Sequence, residues 1–478
     1  MGVAHRQPRL LVIGLSVVVL TVAVLQTAVV PVLGVIADQL GASVVAASWV
    51  VTANLLAAAA ATPLIGRLAD LYRKKHVLLA VLAVVLVGSV LAATTTSLPL
   101  LVLARVLQAA SFALYPVSIA ILREELPEDR IGSAMAVLSG TLGFGGGAGL
   151  VVVGLLMTGD AGYHRVFWLT TGFTVLVLAI VLTVVPNRER ATAGTIDWIG
   201  ALGLGVGLSA VLLSITQGHS WGWGSPRTVA CVVGGLVVLV GWWQWERRVS
   251  QPLVSTRMLA RRSMLLTNVA TAFVGMGLYF AFLGLTQFVQ MPGGPDGYGF
   301  GATVLQASVV YLLPGAVTGF VVALVSGRFI DRFGARPVLV AAAVAGIVGF
   351  VLAAFVHSTS WQVIIASVLA NGYISLGYGA LPALVVADCD AGETGVATGM
   401  NAIARTVGSS TAAAVVAVLL GRTDAAGVPL ESSFVAIFSA GAGTALLAMV
   451  LIALSRPRAE PPAPDSRYET RAMNHEWG

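Results

Sequence analysis

The sequence predicts an all-α membrane protein of fourteen transmembrane helices in a six-plus-two-plus-six arrangement, with both termini cytoplasmic. Three observations predict it. Of 478 residues, 57% are hydrophobic and only 10% charged, against about 25% charge in ordinary globular domains. The bases gather on alternate connections between apolar runs. A charged island at Gly66–Leu78 also returns at Gly327–Leu339, 261 residues later.

A membrane span needs about 20 mostly apolar residues. Fourteen such runs can be marked, at 10–36, 46–65, 76–94, 98–122, 131–157, 165–185, 196–216, 227–245, 263–289, 303–326, 337–356, 361–386, 394–420 and 431–455. Lipid offers no hydrogen bonds to a bare backbone, so runs of this length are helices. The first is too long for a signal-peptide core and lacks a small-residue cleavage site, which makes it an uncleaved span.

The bases orient the chain. With the N-terminus inside, inner segments hold 22 of the 27 Lys+Arg, outer segments hold Arg165, Arg227 and Arg422, and Arg105 and Arg405 fall inside spans. That bias meets the positive-inside rule and makes both islands cytoplasmic. The net charge of +6 and pI near 9.6 therefore express topology and contact with the inner lipid leaflet, not nucleic-acid binding. Two cysteines, Cys231 and Cys389, make no disulfide framework.

In the islands, Gly66-Arg67-Leu68-Ala69-Asp70 and Val77-Leu78 align with Gly327-Arg328-Phe329-Ile330-Asp331 and Val338-Leu339. The offset exceeds six spans, so the chain divides into a first six-helix bundle (1–190), two extra helices with linkers (191–262), a second bundle (263–455) and a polar tail (456–478) expected to be disordered. An even number of spans between the copies keeps the halves parallel about an axis along the membrane normal.

These features together resemble the major facilitator superfamily, in its fourteen-helix drug:proton antiporter branch. The resemblance extends through Trp49–Leu56, Arg105-Val106-Leu107-Gln108, Tyr163–Trp168, Asp197–Ala201 and Gly395–Gly408. Two departures stand out. Leu25 occupies the place of the branch's first-helix aspartate, and Gly143–Gly149 keeps the fifth-helix glycines without their proline. That combination is similar to an actinobacterial sub-branch of exporters. The resemblance implies alternating-access export of antibiotics, drugs or hydrophobic natural products, with protons as coupling ion, by a monomer in the bacterial inner membrane. An importer or facilitator of a small solute is the alternative, and a non-transporting sensor or scaffold a different class.

The candidate residues fall into two sets. Gly66 is expected at a tight turn off the second helix, with Asp70 paired to Arg67, Arg73 or Arg123. With Gly327, Arg328 and Asp331, this cluster resembles the family's inner gate; the plainer reading is that the bases only set topology. Arg105 and Arg405 are the only ionisable side chains deep in spans, where burial is expensive enough to make them functional candidates. If the first and fourth helices are neighbours, as in the family, Gln26, Thr27, Arg105 and Gln108 share one wall; the alternative for each arginine is a structural bond to helix carbonyls. Asn54, Tyr311, Asn371, Tyr373 and Asn401 supply pocket-lining polarity or interhelical hydrogen bonds.

No aspartate, glutamate or histidine falls at mid-span, so the proton carrier is not evident, and Asp38, just past the first helix, is a weak candidate that a solvated loop explains equally. The fifth-helix glycines serve helix packing, since no Gly-Lys-Ser/Thr follows them. With no nucleotide loop, metal-ligand spacing or catalytic triad, the sequence implies no cofactor and no enzyme. Its partners are lipid and a hydrophobic or amphipathic small molecule.

Overall fold

The computed structural model describes residues 8–29, 32–42, 44–157, 162–187, 194–293, 297–424 and 428–455. The tail from residue 456 lies outside them, as do Arg188 and Arg190. Among the described residues, thirteen helices are long and apolar enough to cross a membrane. The other expected span, 131–157, is the 29-residue helix Glu128–Leu156, about 43 Å long at 1.5 Å per residue.

In chain order the long helices are α1 (Pro8–Thr27), α2 (Val44–Leu71), α3 (Lys74–Thr94), α4 (Leu98–Glu125), α5 (Glu128–Leu156), α6 (His164–Val184), α7 (Trp198–Trp221) and α8 (Pro226–Glu246). They continue as α9 (Arg262–Gln290), α10 (Leu313–Phe333), α11 (Ala335–Phe355), α12 (Ser360–Asp388), α13 (Thr394–Leu420) and α14 (Glu431–Leu454). A π-helical stretch, Ala307–Leu312, leads into α10, and 3-10 turns at Ala109–Ala113 tighten the middle of α4.

Two boundaries differ from expectation. The first run breaks at Thr27 and resumes as the short helix Leu33–Gln39. The second helix runs on through the island to Leu71, because Ala69 and Asp70 are buried against protein there rather than turning into water.

Small residues set the packing, as they must where lipid is as apolar as any side chain. Among the first six helices, α1 packs on α5 and α6, and α3 on α4 and α6. A Cβ on Gly145 would sit 2.8 Å from Ala23 Cβ, and one on Gly149 2.8 Å from Thr27 Oγ1, so the glycine face of α5 exists to let α1 approach. Among the last six, α9 packs on α13 and α14, α11 on α12 and α14, and α10 on α12.

The contacts between these groups repeat. Helix α2 packs on α13, and α10 packs on α5. The first crossing brings Gly66 against Gly395; the second brings Gly327 against Ser133, where a Cβ would lie 2.5 Å from the serine Cα. The 261-residue offset carries α2 onto α10 and α5 onto α13, so the repeat seen in sequence is one crossing used twice. Helix α7 lies across α2 and α13, with Ser209 Oγ donating to the Leu56 carbonyl at 3.3 Å and Gln217 Nε2 to Thr52 Oγ1 at 3.3 Å. Helix α8 packs on α7 and is the least buried of the thirteen spans.

Candidate functional site

The island builds a latch at one end of the bundle. Asp70, on the last turn of α2, accepts hydrogen bonds from the amides of Gly395 (2.9 Å) and Val396 (3.0 Å). These are unpaired donors of the first turn of α13, where the helix dipole favours an anion. A carboxylate from one six-helix group thus caps a helix of the other. The expected pairing of Asp70 with an arginine is not what forms: the carboxylate's partners are the two amides, and Arg67 lies half-buried nearby with Nε unbonded.

Arg123, at the end of α4, grips the same corner. Its guanidinium donates to Thr394 Oγ1 (2.6 Å) and to the carbonyls of Cys389 (3.1 Å) and Asp390 (3.4 Å). Beneath it Cys389 is buried; burial pushes its thiol pKa up, Arg123 pulling the other way. Burial and the neighbouring Asp390 likewise raise the Glu393 carboxyl. Arg261 closes the corner by donating to the Asp388 carbonyl at 2.8 Å.

Gly66 serves close approach, not a turn. It sits inside α2, where a Cβ would fall 2.7 Å from the Gly395 carbonyl oxygen, while a Cβ on Gly395 would fall 2.6 Å from the Gly66 oxygen. The island glycine that does need a left-handed conformation is Gly334, at φ 82° between α10 and α11. The lysines hold local structure: Lys74 pairs with Glu124, and Lys75 Nζ donates to the Leu182 and Val185 carbonyls at the end of α6, both at 2.8 Å. Arg73 is half-buried and Arg328 exposed; the side chain of Asp331 lies outside the described residues.

The two intramembrane arginines differ. Arg105 is 1% exposed. Its Nε donates to the Val50 carbonyl (3.1 Å), and Nη1 donates to the Leu25 carbonyl (3.1 Å) and Gln108 Oε1 (2.8 Å). Gln108 passes on a bond to Ser89 Oγ at 2.9 Å, and Asn54 Nδ2 donates to the Arg105 carbonyl at 2.7 Å. The Leu25 carbonyl is available because α1 ends two residues later. Arg105, Gln108 and Asn54 therefore form one satisfied network tying α1, α2, α3 and α4. Gln26 is half-buried beside it, and Thr27 Oγ1 is turned back onto the Ala23 carbonyl (2.9 Å).

Arg405, near the middle of α13, has its guanidinium 4.6 Å from the ring centre of Tyr378 on α12 and 5.3 Å from that of Tyr115 on α4. Tyr115 Oη joins Ser139 Oγ at 2.7 Å and donates to the Tyr378 carbonyl at 3.1 Å, fastening α4 to α12. One turn before Arg405, Asn401 Nδ2 donates to Asn268 Oδ1 (3.0 Å) and Thr271 Oγ1 (2.7 Å).

The remaining candidates are dispersed. Tyr311 joins Ser360 Oγ at 2.9 Å at the first turn of α12. Asn371 folds back on the Ser367 carbonyl (2.9 Å). Tyr373 is buried, its ring against Gly346 and Gly277, its hydroxyl without a partner. Asp38 is exposed on the short helix after α1. Sequence reasoning gave no site role to Gly395, Val396, Cys389 or Tyr115. A glycine at the start of α13, facing the island glycine in the repeat, was the available signal for the first two.

Comparison with known proteins agrees with this architecture. A family model described as Major Facilitator Superfamily matches residues 15–413 and, in a second match, 284–473. The chain is 31% identical over 295 residues to the uridine/deoxyuridine transporter of Lactococcus lactis subsp. cremoris, covering 60% of each protein and so less than two thirds of that relative's length. It is 28% identical over 448 residues to the tetracenomycin C resistance and export protein of Streptomyces glaucescens, covering 88% of this chain and 78% of that protein. Among solved structures, the human organic anion transporter MFSD10 superposes with a TM-score of 0.64 at 15% identity, over 93% of this chain and 99% of that one.

Proposed function

Because the chain belongs to the major facilitator superfamily, whose model spans most of it, we propose that this multi-pass protein of the bacterial inner membrane exports hydrophobic or amphipathic antibiotics or natural products by alternating access. Residues 1–190 and 263–455 are the two halves that rock, α7 and α8 are carried between them, and the island end is cytoplasmic. The protein acts as a monomer, without cofactor or catalytic step, and inward proton flow drives export. The observation that carries this reading is the Asp70–Arg123 latch. Two side chains of the first half hold the α12–α13 corner of the second through hydrogen bonds that a rocking motion breaks and remakes. The Streptomyces relative, which matches along most of its length, supports the direction of transport.

A susceptibility panel in an efflux-deficient bacterial host tests it. Expression should raise the inhibitory concentration of at least one amphipathic compound class about fourfold or more, and Asp70→Asn should remove most of that gain. No change with any class would sink the export reading. The Lactococcus relative favours a second reading, movement of a nucleoside-like solute; labelled uridine uptake that rises with expression would support it instead.

A further inference from the structure

We propose that Arg405 is an anion-binding residue and that the cargo is an aromatic or amphipathic molecule carrying a negative charge. The inference deepens the export reading and rests on it for the word cargo.

The argument is the contrast between two arginines of one membrane. Arg105 spends its donors on two helix carbonyls and an amide, so carbonyl dipoles compensate its charge within its own half. Arg405 is also buried, at 8% exposure. Yet among the described residues no carboxylate pairs with it, and its guanidinium makes no hydrogen bond to a backbone carbonyl. The polar neighbours along α13 are already committed, Asn401 to Asn268 and Thr271, and Ser409 to the Gly275 carbonyl at 3.2 Å. What faces the cation is two aromatic rings and the hydroxyl of Tyr115, which interacts with it, and such neutral partners offset only part of the cost of burying a charge. A guanidinium left with donors to spare is a ready partner for a carboxylate, sulfonate or phenolate, which it binds in a forked geometry.

Its place in the fold makes this a cargo position. Arg405 lies about 16 Å along α13 from the latch, close to the membrane midplane. The rings beside it come from α4 of one half and α12 of the other. Tyr115 and Tyr378 put two buried aromatic rings within 5.3 Å of the charge, surroundings that favour an aromatic or flat apolar body next to the anionic group. A cationic molecule would meet an uncompensated positive charge instead.

The test uses two probes that share a xanthene ring and differ in charge, anionic fluorescein and cationic rhodamine 123. Purified full-length protein in nanodiscs of zwitterionic lipid is titrated, with empty nanodiscs subtracted, and binding is read by fluorescence anisotropy. Wild type should bind fluorescein saturably and about tenfold or more tightly than rhodamine 123. Arg405→Gln should weaken fluorescein about tenfold and abolish the preference, while Arg405→Lys, which keeps the charge but loses the fork, should weaken fluorescein less and keep the preference. Saturable binding of neither probe, a preference for rhodamine 123, or a preference that survives Arg405→Gln would each overturn the proposal. If Arg405→Gln does not fold, the wild-type preference and Arg405→Lys decide. No gradient is involved, so failure of drug export in cells leaves this result standing, and loss of anion preference leaves export standing.

Discussion

Asp70 does its work through two amides, and that makes its substitution informative. An asparagine has one acceptor oxygen where two amides converge, and its NH2 group would face the second N–H. Hydrogen bonds to a charged group contribute about 1.5–3 kcal/mol each, so Asp70→Asn should weaken the latch by about that amount. Cys389 reports the change. Its thiol is 5% exposed and pushed toward the protonated form, and only the thiolate reacts. In a Cys231→Ser background, maleimide labelling of Cys389 should therefore be slow in the otherwise native protein and about tenfold faster in Asp70→Asn. Equal rates would show that Asp70 does not hold the corner shut. At this scale the sequence was legible in part. It pointed to Asp70, Arg123 and both intramembrane arginines, because charge in an apolar chain is conspicuous. It could not say that Arg105 is held by helix carbonyls and Arg405 by tyrosines, since the first depends on carbonyls from α1 and α2, 80 and 55 residues away.

Helices and their crossings were legible to different degrees. The long apolar runs mark the spans because lipid permits little else, and each expected run holds a long helix among the described residues. Helix ends were less legible, since the charged residues of the island can finish a helix as readily as leave it. The role of Gly66 was misread for the same reason: its partner, Gly395, is 329 positions away in sequence. At the α2–α13 crossing even a methyl group has no room. Gly66→Ala should push the helices apart and favour the opened state of the latch end, and Gly327→Ala should do the same to the α5–α10 crossing. Spin labels at exposed Tyr72 and Gly392, in a cysteine-free background, should report a longer and broader distance by double electron–electron resonance in Gly66→Ala. An unchanged distribution would mean that the crossing tolerates a side chain and is not the pivot.

For the whole molecule, orientation rests on the distribution of bases and has a direct check. Tyr72 and Asp38 are both exposed, at opposite ends of the bundle. With single cysteines at each in intact cells, a membrane-impermeant maleimide should label Asp38→Cys and spare Tyr72→Cys, with labelling of both after lysis. The reverse pattern would invert the topology. The two crossings that the internal repeat makes equivalent are not equivalent in their surroundings. Helix α7 lies over α2 and α13, with α8 outside it, and no described pair of helices lies over α5 and α10. One crossing is thus sheathed in protein, and the other, among the described helices, is not. In a bilayer the two crossings therefore meet different surroundings, so a change of lipid thickness or order should load this molecule lopsidedly rather than evenly.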